Sequence, residues 1–160
     1  MDLTDRLLAH DAWATRQILE ICSTLSDEQL DHEFDIGHRT LRDTLDHIIR
    51  NMEIWSSMMD QSPIISATDR SIIAMRHRLS EAELQLKSVA RRIADANAWD
   101  SVWTDYLEDP PKQKRYGTAI AHVITHSMHH RAQLLYMLRR SGVESIPEGD
   151  VFSWESAHRS

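Results

Sequence analysis

Residues 118–140, TAIAHVITHSMHHRAQLLYMLRR, run as an unbroken helical pattern in which four of the chain's ten histidines fall within nine positions. On a helical wheel of about 100° per residue, His122, His126, His130, Gln133 and Met137 share one narrow stripe, with Ala119 and Val123 beside it. His126 and His130 are four apart, so their rings leave successive turns in the same direction, the spacing that lets two imidazoles reach one ion. The opposite side carries Ile120, Ile124, Met128, Leu135 and Leu138. A helix apolar on both sides buries both, either centrally in its own bundle or against a partner, and we favour a partner, as in a homodimer.

Outward from this helix, all four glycines (37, 117, 142, 149) and all four prolines (63, 110, 111, 147) lie outside the segments with helical periodicity. These residues disfavour helix interiors, so the gaps between them outline the architecture. A first helix is expected over Leu3–Thr24, with Leu7, Leu8, Ala14, Ile18, Ile21, Cys22 and Leu25 at three- and four-residue steps. Ser26 to Gln29 reads as a capping box opening a short extra turn. The second helix starts at a Thr40 cap, carries Leu41, Leu45, Ile48, Ile49, Met52, Trp55 and Met59, and closes at Ser62–Pro63. Thr68 or Asp69 caps the third, which ends near Asn97. Residues 98–117 form an ordered crossover with room for a small hairpin. The fourth helix opens at Thr118 and closes on Gly142, after Arg139 and Arg140. The expectation is an all-α fold: one domain over 1–160, a four-helix bundle with a long crossover between the third and fourth helices and a tail over 142–160.

Composition narrows the function. The formal charge of −7 argues against a nucleic-acid partner, which demands a basic face. The longest apolar runs, such as Ile72–Met75, are too short for a membrane span, and the acidic, amphipathic start is unlike a secretory signal. A single cysteine, Cys22, cannot form an intrachain disulfide and suits a reducing cytoplasm. Set among Ile18, Leu19, Ile21 and Leu25, it reads as a buried inert thiol rather than a nucleophile.

The chemistry therefore rests on histidine. Two imidazoles make half a site, and His47 is the best third ligand: it flanks the apolar stripe of the second helix and points towards a neighbour. Three histidines around a divalent cation leave a position for water or substrate. Gln133, one turn beyond His130, can reach an imidazole or a bound water. His122 and His129 read as hydrogen-bonding or interface residues, and His10, His32, His38, His77 and His158 are assigned no role. A zincin is excluded, since Ser127 follows His126 where a Glu is required. A ferritin-like di-iron centre is excluded too, since no Asp or Glu lies between Gly117 and Ser141. Nor is there a Gly-x-Ser-x-Gly turn to signal a serine nucleophile.

The run His126–Ser127–Met128–His129–His130–Arg131–Ala132–Gln133 resembles the last-helix signature of DinB/YfiT-like proteins, and His122–Val123 fits one turn earlier. Thr40 to His47, followed by Glu53 and Trp55, is similar to the family's segment bearing its first ligand. His10–Asp11–Ala12–Trp13–Ala14 resembles its opening, and Pro147 and Asp150 its close. The likeness spans nearly the whole chain. It departs in having Ser127–Met128 where an acidic or small pair is usual, and Arg16 where Asn is frequent.

The resemblance implies an up-down-down-up four-helix bundle, homodimerisation, and one metal at a pocket mouth held by His47, His126 and His130. Characterised relatives include enzymes that add a low-molecular-weight thiol to an electrophile or use one in isomerisation. The expected function is thus a cytoplasmic metal-dependent enzyme. A divalent ion (zinc first, nickel or iron next) would activate a small thiol or water against a small-molecule electrophile, in a cleft that Trp13, Trp55 and Tyr106 are candidates to line. The alternative is a metal-binding or dimeric interaction module without turnover.

Overall fold

The computed structural model describes residues 1–158, which are mostly helical with two short strands. Helix α1 spans Leu3–Cys22, α2 Asp27–Leu30, α3 Leu41–Asp60, α4 Ile72–Asp95, α5 Tyr116–Arg140 and α6 Val151–Ala157, with β1 at Val102–Asp105 and β2 at Lys112–Arg115.

Local signals account for most of these boundaries. The Ser26 hydroxyl accepts from the Gln29 amide while the Gln29 side chain accepts from the Ser26 amide, so α2 opens on the expected capping box. Thr40 caps α3 by accepting from the Asp43 amide at 2.9 Å. The cap of α4 is Ser71, not Thr68 or Asp69: its hydroxyl accepts from Ala74, and the Asp69 carboxylate is engaged instead by the Ser71 amide. Helix α5 begins at Tyr116, so Gly117 lies inside its first turn. A side chain there would meet the Trp99 carbonyl 3.1 Å away, to which the Gly117 amide donates; close approach outweighs helix propensity. Gly142 ends α5 with φ +81, and the Gly142 and Val143 amides donate to the Arg139 and Leu138 carbonyls. The crossover does hold a hairpin, β1 antiparallel to β2, with Val102 opposite Arg115 and Asp105 opposite Lys112. Where only a tail was expected, Asp150 caps α6 and Trp154 is buried.

Helix α1 packs on α4 and α5, and α3 packs on the same two. Ile18, Leu19, Leu45, Ile48, Met52, Met75, Leu79, Leu86, Val123, Leu134 and Met137 meet in one core from these four helices, all at 2% exposure or less. Burying one such side chain contributes about 1.5–3 kcal/mol, so this shared core holds the helices in place. Helix α5 is apolar on both sides largely because it serves that core. Ile120 and Leu138 are buried within the chain, Ile124 and Leu135 are half-buried, and Met128 stays exposed.

Polar clamps fix the helices relative to one another. Arg16 pairs with Glu83, Glu20 with Arg76 and Asp5 with Arg91 across α1 and α4. Between α3 and α4, Arg78 is nearly buried and meets both oxygens of Glu53 at 2.8 Å and Asp46 at 2.6 Å. Between α1 and α5, buried Arg131 lies 2.5 Å from buried Asp11 and also donates to Thr15. Among the described residues, no helix is long and apolar enough to cross a membrane.

Candidate metal centre

Helices α3 and α5 face each other with histidines at the seam. The rings of His126 and His130 have centroids 4.4 Å apart, those of His47 and His130 4.6 Å, and those of His47 and His126 4.8 Å. The Nε2 atoms of His47 and His126 approach to 2.9 Å. Imidazole donors about 2.0–2.1 Å from a tetrahedral zinc would stand about 3.3 Å apart, so the observed spacing is close to that of two ligands on one ion.

Charge state agrees with that geometry. Burial, then the neighbouring His38 and His130, pulls His47 down to about 4. Burial, with His130 and His47 next, takes His126 down to about 3. Burial also holds His130 below its ordinary value, against the hydrogen bond to Gln133. All three rings are therefore neutral at neutral pH and keep a lone pair for a cation. Gln133 orients one of them: its Oε1 accepts from His130 Nδ1 at 2.8 Å, which leaves His130 Nε2 unprotonated. The Gln133 amide donates to His129 Nε2 at 3.0 Å, so His129 anchors Gln133. His126 Nδ1 is buried with no hydrogen-bond partner among the described residues, so His126 engages its neighbours through Nε2, at His47.

A fourth ring joins from a loop. His38 sits between α2 and α3 with its ring 3.8 Å from that of His47 and 5.1 Å from that of His130. One nitrogen each from His38, His47 and His130 all lie within 4.8 Å of one another. Sequence reasoning missed His38 because loops have no periodicity. The available signal was chemical: Gly37 precedes it and the Thr40 cap follows, which places it beside the start of the helix that carries His47.

The surroundings differ from the expected cleft. Trp55 does flank the site, 4.9 Å from His122, and His122 lies 5.4 Å from His126. Lys114 from the hairpin covers the Trp55 face at 4.7 Å while pairing with Asp105 and Glu108. Trp13 lies elsewhere, against His10 and His158. Tyr106 lines a different cavity of about 560 Å³ beside Trp103, lined also by Ser57 and Gln113. Tryptophans and tyrosines mark apolar surface wherever it occurs, so composition could not say which share a wall. Cys22 is fully buried and burial pushes its thiol up to about 12, which removes it as a nucleophile.

The sequence profile of the DinB family matches residues 1–156 of the 160. The chain belongs to the DinB family. No curated protein matches it. In this DinB-family protein the residues present fit a divalent cation: the donors are neutral imidazoles, two of them converge at 2.9 Å, and one is locked in a ligating tautomer.

Proposed function

We propose that this chain holds one divalent metal ion through His47, His126 and His130 and is an enzyme that activates a low-molecular-weight thiol, or water, for attack on a small electrophile. The observation that carries this reading is the convergence of neutral ring nitrogens from α3 and α5. A cation bound there supplies Lewis acidity, which turns a thiol or water into its nucleophilic form at neutral pH. The protein's own part is to present three donors and leave a coordination position accessible. Gln133 fixes the His130 tautomer, and Trp55 under Lys114 forms an apolar wall on one side. No protein nucleophile is required, in keeping with the buried Cys22. An imidazole-only donor set suits zinc first, with nickel or iron as alternatives.

The up-down-down-up path belongs to the same reading. Residues 5, 16 and 20 of α1 meet 91, 83 and 76 of α4 in falling order, whereas 46, 56 and 60 of α3 meet 78, 85 and 92 of α4 in rising order. On the other side, His47 and Trp55 of α3 meet His126 and His122 of α5 in falling order. A homodimer and a cytoplasmic setting are part of the proposal too; exposed Met128 and Tyr136 on α5 offer the dimer a contact.

The fourth imidazole favours a second reading. Four histidines can close a coordination sphere, the mark of a metal-binding module without turnover. A panel of small thiols and electrophiles, run on metal-stripped and zinc-reloaded protein, separates the two. Turnover that needs both metal and thiol and vanishes in His126→Ala supports the enzyme. Bound metal with no turnover under any thiol or hydrolytic condition supports the module.

A further inference from the structure

Resting on the metal reading above, we infer that His38 is a displaceable fourth ligand, which occupies the coordination position left by His47, His126 and His130 until a small anionic guest replaces it. Three features of the loop carry this. The first is position: the His38 ring is 3.8 Å from His47 and 5.1 Å from His130, and its nitrogen falls within 4.8 Å of theirs. One set of three with nitrogens within 4.8 Å of one another is His38, His47 and His130, and His126 meets His47 at 2.9 Å, so His38 and His126 each join the His47–His130 pair.

The second feature is an exposed ring on a turn set against donors fixed on helices. His126 and His130 are fastened to α5, and His130 is buried, whereas His38 is exposed and carried on a turn. That turn is held by its own backbone: the Arg39 amide donates to Ile36, and the Phe34 amide to Arg39. A rotation about the His38 side chain therefore removes its ring from His47 and His130 and leaves these backbone hydrogen bonds of the turn in place.

The third is a built link between loop and site. Gly37 has φ +52, and a Cβ there would sit 2.1 Å from Gln133 Oε1, the atom that accepts from His130. Arg39, on the other side of His38, also has a positive φ of 71. Gly37 takes this backbone freely, but at Arg39 it is locally unfavourable and marks a conformation the surroundings impose. The turn lies directly against the Gln133 side chain at Gly37, so the group that orients His130 also abuts the residue next to His38.

The exchange is a substitution at the ion: one nitrogen–metal contact is lost and one guest–metal contact is gained, with no redox change. It reconciles a sphere that four histidines can close with a reaction that needs an opening.

Cobalt(II)-loaded protein tests it, because the intensity and position of cobalt's visible absorption report coordination number, and azide serves as the anionic probe. Wild type is expected to bind azide weakly. His38→Ala should show an altered spectrum before azide is added and bind azide about tenfold or more tightly, since the position starts open. His77→Ala, which alters an exposed histidine paired with Glu81 away from the site, should behave as wild type. Matching spectra and azide affinities in wild type and His38→Ala overturn the inference and leave the three-histidine site standing. Failure of wild type to take up cobalt overturns the metal reading and this inference with it, and full uptake by His126→Ala makes His38 a standing third ligand beside His47 and His130 and overturns its displacement.

Discussion

His47 Nε2 and His126 Nε2 lie 2.9 Å apart although 79 residues separate them in sequence. Two neutral imidazoles presenting nitrogens to each other at this distance share either a proton or a cation. The His130 ring stands 4.6 Å from that of His47 and 4.4 Å from that of His126, so a cation between these rings would engage more lone pairs than the two that a single proton satisfies.

The depressed histidine values give the metal-free protein a specific pH dependence. In the unfolded chain these rings protonate near the ordinary value of about 6.5, while folded His47 and His126 resist protonation until about 4 and about 3. Between those limits the unfolded state binds more protons, so stability is full above about pH 6.5 and declines as pH falls through that window. Thermal unfolding of metal-free protein from pH 8 to pH 5 should show a falling midpoint, with a shallower fall in His126→Ala. Equal slopes for the two proteins would contradict the neutral cluster.

Gly37→Ala should destabilise the protein by about 1–3 kcal/mol, since the new methyl group meets Gln133 and the residue must hold a left-handed backbone. Denaturant unfolding gives the number. The same variant should bind zinc more weakly, because displaced Gln133 no longer accepts from His130. Unchanged stability would mean that the turn and α5 are not in contact.

Arg131→Ala removes the partner of a buried carboxylate and should cost about 3–5 kcal/mol. Burial already raises the Asp11 carboxyl against the pull of Arg131, so leaving it alone is unfavourable. Asp11→Ala combined with Arg131→Ala should cost less than the two single changes summed, a coupling that a denaturation-based double-mutant cycle measures. Additive losses would show that the pair does not act as a unit.

How far these features could be read in sequence depended on whether they repeat. The four long helices were legible because Leu45, Ile48 and Met52, or Val123, Leu134 and Met137, recur at helical steps, and because Thr40 and Ser26 cap where caps belong. The His126–His130 spacing was legible for the same reason, and His47 because it flanks such a stripe. Neither His38 nor the Asp11–Arg131 pair has a periodic signature: one lies in a turn, and the other joins residues 120 apart in sequence. Gly117 misled because a close contact with Trp99 overrode its dislike of helices, and α6 escaped notice because seven residues carry too little periodicity.

Native protein should resist iodoacetamide at pH 8, since Cys22 is fully buried with its thiol pushed up to about 12. Unfolding in denaturant should expose one reactive thiol, counted by mass spectrometry. Rapid labelling of the native form would place Cys22 at the surface and reopen it as a nucleophile.

Metal content measured by elemental analysis, on wild type beside His47→Ala and His126→Ala, bears most directly on the site. About one divalent ion per wild-type chain is expected, with a marked loss in both variants, because each removes a helix-borne donor and leaves exposed His38 as its replacement. Undiminished metal in both variants would contradict the assignment of these histidines as ligands.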